Sequence, residues 1–361
     1  MKIVHVVEAF ASGIAVFINS LVDNMKEDQH LVIHGEREQV MRAEDVKRQF
    51  SGVHVSFLRW PSACRNIRPW QDIKASLELY GFLKDLKRQG AVDVVHLHSS
   101  KSGFLGRVVC RVLGIRNVVY TPNGAPFLVG KTALSNRLYK VLEQVGARFG
   151  GTVVCCSQSE WQAYRDLGID AARINNGIRV TEAPALPRSE DAGFTIVTSG
   201  RIADQKNPSL FNAIARYFEE WPAFEFVWVG DGDERAHLTA RNIRVTGWLP
   251  GDQAKALIRK ADVYLSTARF EGLSFAGLEA LLLEKPVLLT DCIGNRDMTA
   301  RGSNGDLFRS ESEAVVKLLR YFNNRLMLPV MGSRSAQLCA SEFNIQDTFH
   351  QYRSLYKSDS I

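Results

Sequence analysis

The stretch "FTIVTSGRIADQKNP" (residues 194–208) combines the signals of an α/β fold. "FTIVTSG" is an almost continuous apolar run that ends at Gly200, as expected for a parallel strand covered on both faces. A loop containing Arg201 and Lys206 follows, and Asn207, which precedes a proline, is predicted to be the N-cap of a helix. The stretch therefore predicts a strand, a loop and a helix, which is the repeating unit of a doubly wound sheet.

Similar apolar runs repeat this alternation on both sides of one break in the pattern. The runs are "IVHVV" (3–7), "HLVIHG" (30–35), "VHVSFL" (53–58), "VDVVHLH" (92–98), "NVVYT" (117–121) and "TVVCCS" (152–157) before the break, and "FTIVTSG" (194–200), "EFVWVG" (225–230), "IRVTGW" (243–248), "DVYLST" (262–267) and "PVLLTD" (286–291) after it. The break near 180–193 has two prolines, several charges and no periodicity, which predicts a linker. We expect two doubly wound parallel-sheet domains, residues 1–182 and 193–342, with ligands in the cleft between them.

The composition is that of an ordinary globular protein, with 45% hydrophobic and 23% charged residues among 361. The six cysteines lack C-x-x-C spacing, so we expect buried thiols in a reducing compartment and no zinc site. His5 and Glu8 interrupt the first apolar run, which favours a buried strand and helix over a secretory signal. No longer apolar run could span a bilayer. The sequence predicts a cytoplasmic protein that can bind peripherally to the inner face of the membrane.

Two glutamates stand eight positions apart in "ARFEGLSFAGLEALLLEKPV" (268–287). Ser274 is predicted to cap a helix that Pro286 closes, so Glu271 lies in the loop before the helix and Glu279 lies between one and two turns into it. The N–H groups at the helix start suit a phosphate, and the carboxylates suit hydroxyl groups on either side. The pattern predicts a site for a nucleotide sugar. The alternative is structural, with Glu271 capping a loop and Glu279 in an ion pair.

The motifs of the second half, in the order in which they occur along the chain, resemble the C-terminal half of retaining glycosyltransferases of family GT4, which have the GT-B fold. The similar segments are "GR…QKNP", "VGDGDE", "GWLP" and "FEGLSFAGLEAL…KPVLLTD", together with "HLHSSKSGFLGR" (96–107), "VVYTPNGAPF" (118–127), "CCSQSE" (155–160) and "INNGI" (174–178) in the first half. "FNIQDTFHQYRSLYKS" resembles the closing helix of the family, so residues 343–361 are expected to cross back to the N-terminal domain. The resemblance covers nearly the whole chain. It implies two Rossmann-like domains that face a central cleft, with the donor bound by the C-terminal domain and the acceptor by the N-terminal one.

The resemblance also implies roles for individual residues. Arg201 and Lys206 would hold the diphosphate and stabilise the leaving group, which makes a metal ion unnecessary. Glu271 would accept hydrogen bonds from the transferred sugar, and Glu279 from the ribose. The other expected donor contacts are Gly13, Asn123, Gly200, Trp248, Leu249, Gly272, Leu273, Ser274 and Phe275.

Two positions depart from the family pattern. The first loop reads "ASGIA" where the family usually has paired glycines, and an ordinary turn glycine is the alternative role of Gly13. Asn123 stands where the family commonly has histidine before glycine. Asparagine can donate and accept hydrogen bonds but cannot carry a proton, so only a contact with a sugar hydroxyl is expected there.

Two features of the sequence could indicate a metal site. His96 and His98 alternate along a predicted strand, and we expect their side chains on opposite faces, which argues against a shared metal ion. "DGD" (231–233) follows a strand and is expected to form a turn. We therefore predict no metal and no cofactor other than the substrate nucleotide sugar.

Positive charge is concentrated in residues 51–150, which carry 15 basic and 5 acidic side chains, a net +10. This segment includes "RWPSACRNIRPWQDIK", in which Trp60 and Trp70 stand among arginines. Tryptophan with arginine suits an anionic membrane surface or a lipid diphosphate. The alternative is a solvated helix face with two half-buried tryptophans.

Together these features and the resemblance predict a glycosyltransferase of the hexosyltransferase kind, and the resemblance implies that it is a retaining one. Its donor would be a nucleoside-diphosphate sugar, with UDP favoured over GDP, and its acceptor a saccharide linked to a lipid diphosphate, in bacterial O-antigen, capsule or exopolysaccharide synthesis. No nucleic acid partner is expected. The alternatives are a nucleotide-sugar epimerase on the same fold and a non-catalytic sugar-binding protein. A nicotinamide dehydrogenase is disfavoured, because no G-x-G-x-x-G opens a helix after the first strand.

Overall fold

A computed structural model describes residues 1–36, 43–50, 52, 54–64, 66–128, 132–180, 193–300 and 302–358. The chain divides into two compact units, Met1–Asn176 with Gln346–Ile361, and Gly177–Ile345. The predicted linker falls mainly on residues 181–192, outside the described residues.

Among its described residues, the first unit contains one sheet of seven parallel strands in the order β3-β2-β1-β4-β5-β6-β7. The strands are β1 (Lys2–Val7), β2 (Gln29–His34), β3 (Val55–Arg59), β4 (Val94–His98), β5 (Val118–Thr121), β6 (Thr152–Cys155) and β7 (Ala171–Arg173). The helices are α1 (Ser12–Asn24), α2 (Ala43–Lys47), α3 (Pro69–Arg88), α4 (Ser100–Leu113), α5 (Ala133–Ala147) and α6 (Gln158–Asp166), with a 3₁₀ turn at Pro126–Leu128. All six predicted strands are present. The edge strand β7 was not predicted, because Ala-Ala-Arg has no apolar run.

The chain adds β2 and β3 on one side of β1 and then β4 to β7 on the other side. This change of direction between β1 and β4 distributes the helices over both faces of the sheet. Right-handed crossovers place α1 and α2 on one face and α3 to α6 on the other. The buried clusters agree, since Val22 and Val46 pack in one of them while Leu79, Val109 and Tyr164 pack in the other. A site at the carboxyl ends of such strands lies at the switch point.

The second unit contains a sheet of six parallel strands, among the residues described, in the order β10-β9-β8-β11-β12-β13. The strands are β8 (Phe194–Ser199), β9 (Phe224–Val229), β10 (Ile243–Val245), β11 (Val263–Ser266), β12 (Val287–Thr290) and β13 (Gly305–Phe308). The helices are α7 (Pro208–Tyr217), α8 (Gly251–Lys260), α9 (Phe275–Leu282), α10 (Glu311–Asn323) and α11 (Met327–Glu342), with 3₁₀ turns at Asp204–Lys206, Arg235–His237 and Arg296–Met298. Strand β13 was not predicted. Its first residue must be small, because a Cβ at Gly305 would lie 1.9 Å from the carbonyl oxygen of Val287.

The last helix, α12 (Ile345–Ser358), packs on the first unit. Tyr352 and Tyr356, one turn apart, are completely buried. The Tyr356 hydroxyl lies 2.6 Å from Nδ1 of His96, and Asn117 donates to the Tyr356 carbonyl oxygen at 2.8 Å. Arg353 forms an ion pair with Asp28 at 3.3 Å. Within the described part of the chain, no helix has the length and apolar character needed to cross a bilayer.

Candidate functional site

Two loops of the second unit meet beyond the carboxyl ends of β8 and β11. The Nζ atom of Lys206 lies 2.7 Å from Oε1 of Glu271 and 3.4 Å from Oγ of Ser274. The Thr267 hydroxyl fixes the lysine backbone by donating to its carbonyl oxygen at 2.7 Å. The lysine and glutamate side chains are only 17% and 8% exposed, so a largely buried ion pair lies beside the start of α9.

The charge of Lys206 is maintained by its neighbours. Burial is the largest single influence and by itself lowers the pKa of the ammonium group, but the Glu271 carboxylate, with a smaller contribution from Tyr264, outweighs it. The pKa of Lys206 is therefore raised, and its ammonium group stays positively charged at neutral pH.

Helix α9 begins as predicted, at the N-cap Ser274. The Ser274 hydroxyl accepts a hydrogen bond from the Gly277 N–H at 3.3 Å. The first N–H groups of a helix have no acceptor within it, and the helix dipole adds partial positive charge at this end. The backbone at Phe275 and the Lys206 ammonium together form a cationic edge suited to an anion.

Glu279 lies in the second turn of α9 and is half-buried. Burial raises the pKa of its carboxyl group, and the charge of Lys255 only partly opposes this effect. Within the described residues the carboxylate makes no hydrogen bond, so it is available to accept one from a ligand.

Gln205 belongs to this site, although the sequence reasoning did not select it. Its amide nitrogen lies 3.2 Å from the carbonyl oxygen of Phe270 and 3.4 Å from Oε2 of Glu271. Gln205 therefore orients the carboxylate that Lys206 neutralises. Its position immediately before Lys206 was a signal that could have identified it.

The segment "VGDGDE" supports the loop that follows β8. A Cβ at Gly230 would lie 2.2 Å from the carbonyl oxygen of Gly200, and the Trp228 indole donates to the same oxygen at 2.9 Å. Gly200 itself has φ +123°, a conformation that glycine adopts readily. Asp231 accepts from the Gly232 N–H at 2.9 Å, and a turn begins within "DGD", where the Arg235 N–H donates to the Gly232 carbonyl oxygen at 3.2 Å.

Asn207 occupies the N-cap position of α7, as predicted, but it lacks the side-chain hydrogen bond expected of a cap. The residue has φ +51° and its side chain caps no helix N–H. Its side-chain oxygen instead accepts from Arg269 at 3.1 Å, which ties the two loops together. The proline that follows does occupy the first turn of α7, as predicted.

The remaining residues of the second unit that were predicted to contact the sugar donor lie in loops between its strands and helices. Gly247, with φ +72°, pairs with Gly230 and leads to Trp248, which is 60% exposed. Leu249 and Arg201 are half-buried. Gly272 and Leu273 are buried between Glu271 and Ser274.

Gly13 and Asn123 belong to the first unit. Gly13 is exposed in the first turn of α1. Asn123 has φ +57°, and the loop beyond it is held by Glu160, whose buried carboxylate accepts from the N–H groups of Gly124 and Cys156, both at 2.8 Å. Burial raises the pKa of Glu160, although these two donors act in the opposite direction.

The expectation that His96 and His98 point to opposite faces is wrong. Their ring centroids are 4.0 Å apart, because residues two positions apart on a strand share a face. With His5 they form a buried triad whose ligating atoms lie within 4.8 Å of one another. Hydrogen bonds already engage these rings, with His5 Nδ1 3.0 Å from His98 Nε2 and His96 Nδ1 2.6 Å from the Tyr356 hydroxyl. Among the described residues, Nδ1 of His98 is buried without a hydrogen-bond partner.

The two tryptophans of the basic segment have different environments, and neither is half-buried. Trp60 is a core residue, 1% exposed, and its indole donates to the Ala75 carbonyl oxygen at 2.9 Å. Trp70, at the start of α3, is 86% exposed.

Comparison with known families and proteins gives a consistent result. A family model described as "Glycosyl transferase 4-like domain" matches residues 12–177, and one described as "Glycosyl transferases group 1" matches residues 193–324. The chain is 28% identical over 323 residues to the UDP-Gal:alpha-D-GlcNAc-diphosphoundecaprenol alpha-1,3-galactosyltransferase of Escherichia coli, covering 82% of each protein. It is 24% identical over 291 residues to the O-antigen biosynthesis glycosyltransferase WbnH of Escherichia coli, covering 78% of each. Among solved structures, Anabaena Alr3699/HepE in complex with UDP and glucose is similar, with a TM-score of 0.76, 14% identity, and coverage of 99% of this chain and 100% of that one.

Proposed function

This chain belongs to the GT4-type glycosyltransferases with the GT-B fold that act in bacterial surface-polysaccharide synthesis, and we propose that it transfers a hexose from a UDP-sugar, with retention of anomeric configuration, to a saccharide linked to a lipid diphosphate. The Escherichia coli relative supports both the donor and the acceptor class, since its name gives UDP-Gal and a diphosphoundecaprenol-linked sugar. The resemblance to family GT4 supports the proposal of retention.

The observation that carries the proposal is the arrangement of charges around the start of α9. Lys206 and the helix N-terminus form a cationic edge, Glu271 lies beside them in the preceding loop, and Glu279 lies one to two turns into the helix. This arrangement fits the parts of a nucleotide sugar: Glu271 suits the sugar hydroxyls, the cationic edge suits the diphosphate, and Glu279 suits the ribose hydroxyls. Arg201, in the same loop as Lys206, would add a second cation to the diphosphate.

These groups would act mainly on the leaving group. When the bond between the sugar and the diphosphate breaks, negative charge grows on the phosphate oxygen. A fixed ammonium group and a helix N-terminus stabilise that charge without rearranging, and stabilisation of this kind commonly accounts for much of an enzyme's rate enhancement. Since these groups supply positive charge, we propose that transfer proceeds without a divalent metal.

A thermal-shift panel of UDP-, GDP- and ADP-sugars tests the donor. A ligand at ten times its dissociation constant stabilises the folded state by about 1.4 kcal/mol, which a thermal shift detects. We expect stabilisation by a UDP-hexose, and its loss in Lys206→Met but not in Arg244→Gln, which removes an exposed cation of the same unit. A shift with GDP- or ADP-sugars alone would overturn the UDP assignment.

Incubation of the stabilising donor with a lipid-diphosphate-linked saccharide tests the reaction. We expect a new glycosidic bond only when both substrates are present, and NMR of the product should show the anomeric configuration of the donor. Conversion of the sugar in the donor without any acceptor would identify an epimerase instead, and binding without turnover would identify a sugar-binding protein.

A further inference from the structure

Helix α3 presents an apolar stripe to solvent. Trp70, Ile73 and Leu77 are 86%, 53% and 67% exposed. Their spacing of three and four residues places them on one face of the helix. Ala75, Leu79 and Leu83 on the opposite face are buried against the sheet, so the exposed stripe is not required for the core.

Helix α5 presents a second stripe of the same kind. Leu134, Leu138 and Val141 are 79%, 52% and 48% exposed, again at helical spacing. The side that faces the protein carries the buried Glu143 and Gly146. Large apolar side chains grouped on an exposed face commonly mark an interaction site.

Both stripes lie on the same side of the first sheet. Helix α4 packs against both α3 and α5, and the crossovers place all three helices in one layer. The outer surfaces of α3 and α5 therefore face in the same general direction. We call the six exposed side chains Trp70, Ile73, Leu77, Leu134, Leu138 and Val141 the apolar face.

The charges around the apolar face are mainly positive, because most carboxylates of the two helices turn inward. Asp72 forms an ion pair with Lys101 at 2.5 Å, and Glu78 accepts from the Ser62 hydroxyl at 2.6 Å. Glu143 is buried against Arg107. Of the acidic residues in α3 and α5, only Asp85 is exposed. The exposed basic residues are Lys74, Lys87, Arg88, Arg137 and Lys140.

We propose that the apolar face and its basic border bind the surface of an anionic lipid bilayer. Exposed tryptophan and leucine enter the boundary between headgroups and acyl chains, while lysine and arginine contact anionic headgroups. A complementary protein or a second copy of the chain is less favoured, since a second copy would bring two positively charged borders together. The proposal rests on the proposed function, in which the acceptor is anchored in such a bilayer.

Co-sedimentation of the full chain with vesicles tests this surface. With 1:1 phosphatidylcholine and phosphatidylglycerol at low salt we expect most of the protein in the pellet, and release at high salt. Vesicles of phosphatidylcholine alone should retain at least tenfold less. Trp70→Gln/Leu77→Gln and Leu134→Gln/Leu138→Gln should each weaken partition at least tenfold, and Arg137→Glu/Lys140→Glu should do so at low salt.

Leu326→Gln/Val330→Gln is the matched control, because these exposed apolar side chains (92% and 63%) belong to the second unit. Equal partition of control and apolar-face variants would overturn the proposal, as would failure of the unaltered protein to bind. If the apolar-face variants instead convert a dimer to a monomer in sedimentation velocity, without weakening vesicle binding, the surface is an interface between copies.

Thermal shift with UDP on the same variants separates this proposal from the proposed function. The apolar-face variants should bind UDP as the unaltered protein does. Vesicle binding without any transfer to a lipid-diphosphate acceptor would contradict the function and leave the surface intact. Transfer to such an acceptor without vesicle binding would contradict the proposed surface and leave the proposed function intact.

Discussion

Lys206 and Glu271 form an ion pair of 2.7 Å beyond the carboxyl ends of β8 and β11, although the proposed reaction assigns the lysine to the diphosphate and the glutamate to the sugar. Each side chain therefore neutralises the other. A diphosphate that binds Lys206 must compete with this carboxylate, and Glu271 becomes free to accept a sugar hydroxyl when the competition succeeds. The pair couples phosphate binding to the availability of the sugar contact.

Glu271→Gln should separate the affinity for the nucleotide from turnover. Removal of the negative charge beside Lys206 should strengthen UDP binding by roughly three- to tenfold, because a like charge no longer opposes the diphosphate. Turnover of the UDP-sugar should fall by roughly a hundredfold, since the sugar loses a charged acceptor. Isothermal titration with UDP and initial rates measure the two effects. Weaker UDP binding in step with the fall in rate would contradict this coupling.

Lys206→Met should lose both activity and stability. It leaves the largely buried Glu271 carboxylate without its cation, and breaking a buried pair in this way costs about 3–5 kcal/mol of unfolding free energy. Urea unfolding and initial rates measure the two losses. Lys206→Arg, which keeps the charge, is the control and should retain most of the stability. Unchanged stability of Lys206→Met would show that Glu271 is accommodated without the lysine.

Glu279→Gln should weaken the nucleotide without harming the fold. Burial raises the pKa of this carboxyl group, so a neutral amide should be at least as stable in the folded protein. A hydrogen bond to a charged group contributes about 1.5–3 kcal/mol, so we expect UDP to bind roughly tenfold more weakly. A UDP analogue without ribose hydroxyls is the matched control and should bind both proteins equally. If affinity and turnover are unaltered, the carboxylate has a structural role.

Local chemistry made the start of α9 predictable, but the Lys206–Glu271 pair was not. Ser274 caps its helix through an N–H three residues away, so the residue type and its position were sufficient. Lys206 and Glu271 are 65 residues apart, and their contact depends on the packing of β8 against β11. Asn207 stands at the predicted N-cap position, but for a similar reason its side chain makes no capping hydrogen bond. A long-range partner, Arg269, took the side-chain oxygen that a local cap would have used.

Burial was harder to predict where charge and aromatic residues mix. Trp60 and Trp70 share one arginine-rich segment, yet β3 leads the first into the core while the second starts the outer face of α3. The nearly continuous apolar runs predicted the strands because both faces of a parallel sheet are covered. The same covering buries His96 and His98, which polar composition alone would have placed at a surface.

Activity should persist when divalent metals are removed. Lys206 and the start of α9 supply the positive charge that a metal ion would otherwise provide, and the imidazoles of the buried triad are engaged in hydrogen bonds. Initial rates after dialysis against EDTA should stay within about twofold of those with added magnesium, whereas metal-dependent charge stabilisation contributes several kcal/mol. A loss of more than tenfold that magnesium or manganese restores would contradict a metal-independent mechanism.

The buried triad of His5, His96 and His98 should make the fold sensitive to acid. Burial, reinforced by the neighbouring imidazoles, lowers the pKa of each ring well below the ordinary 6.5. The folded state therefore binds fewer protons than the unfolded state below pH 6.5, so stability is complete above that value and is lost as the pH falls through it. Each proton taken up on unfolding removes about 1.4 kcal/mol per pH unit, so three rings remove up to about 4 kcal/mol.

Urea unfolding at pH 7.5 and 5.5 measures this slope. His96→Asn should reduce it, while His350→Gln, at an exposed position, should not. An equal slope in all three proteins would contradict the assignment to the triad.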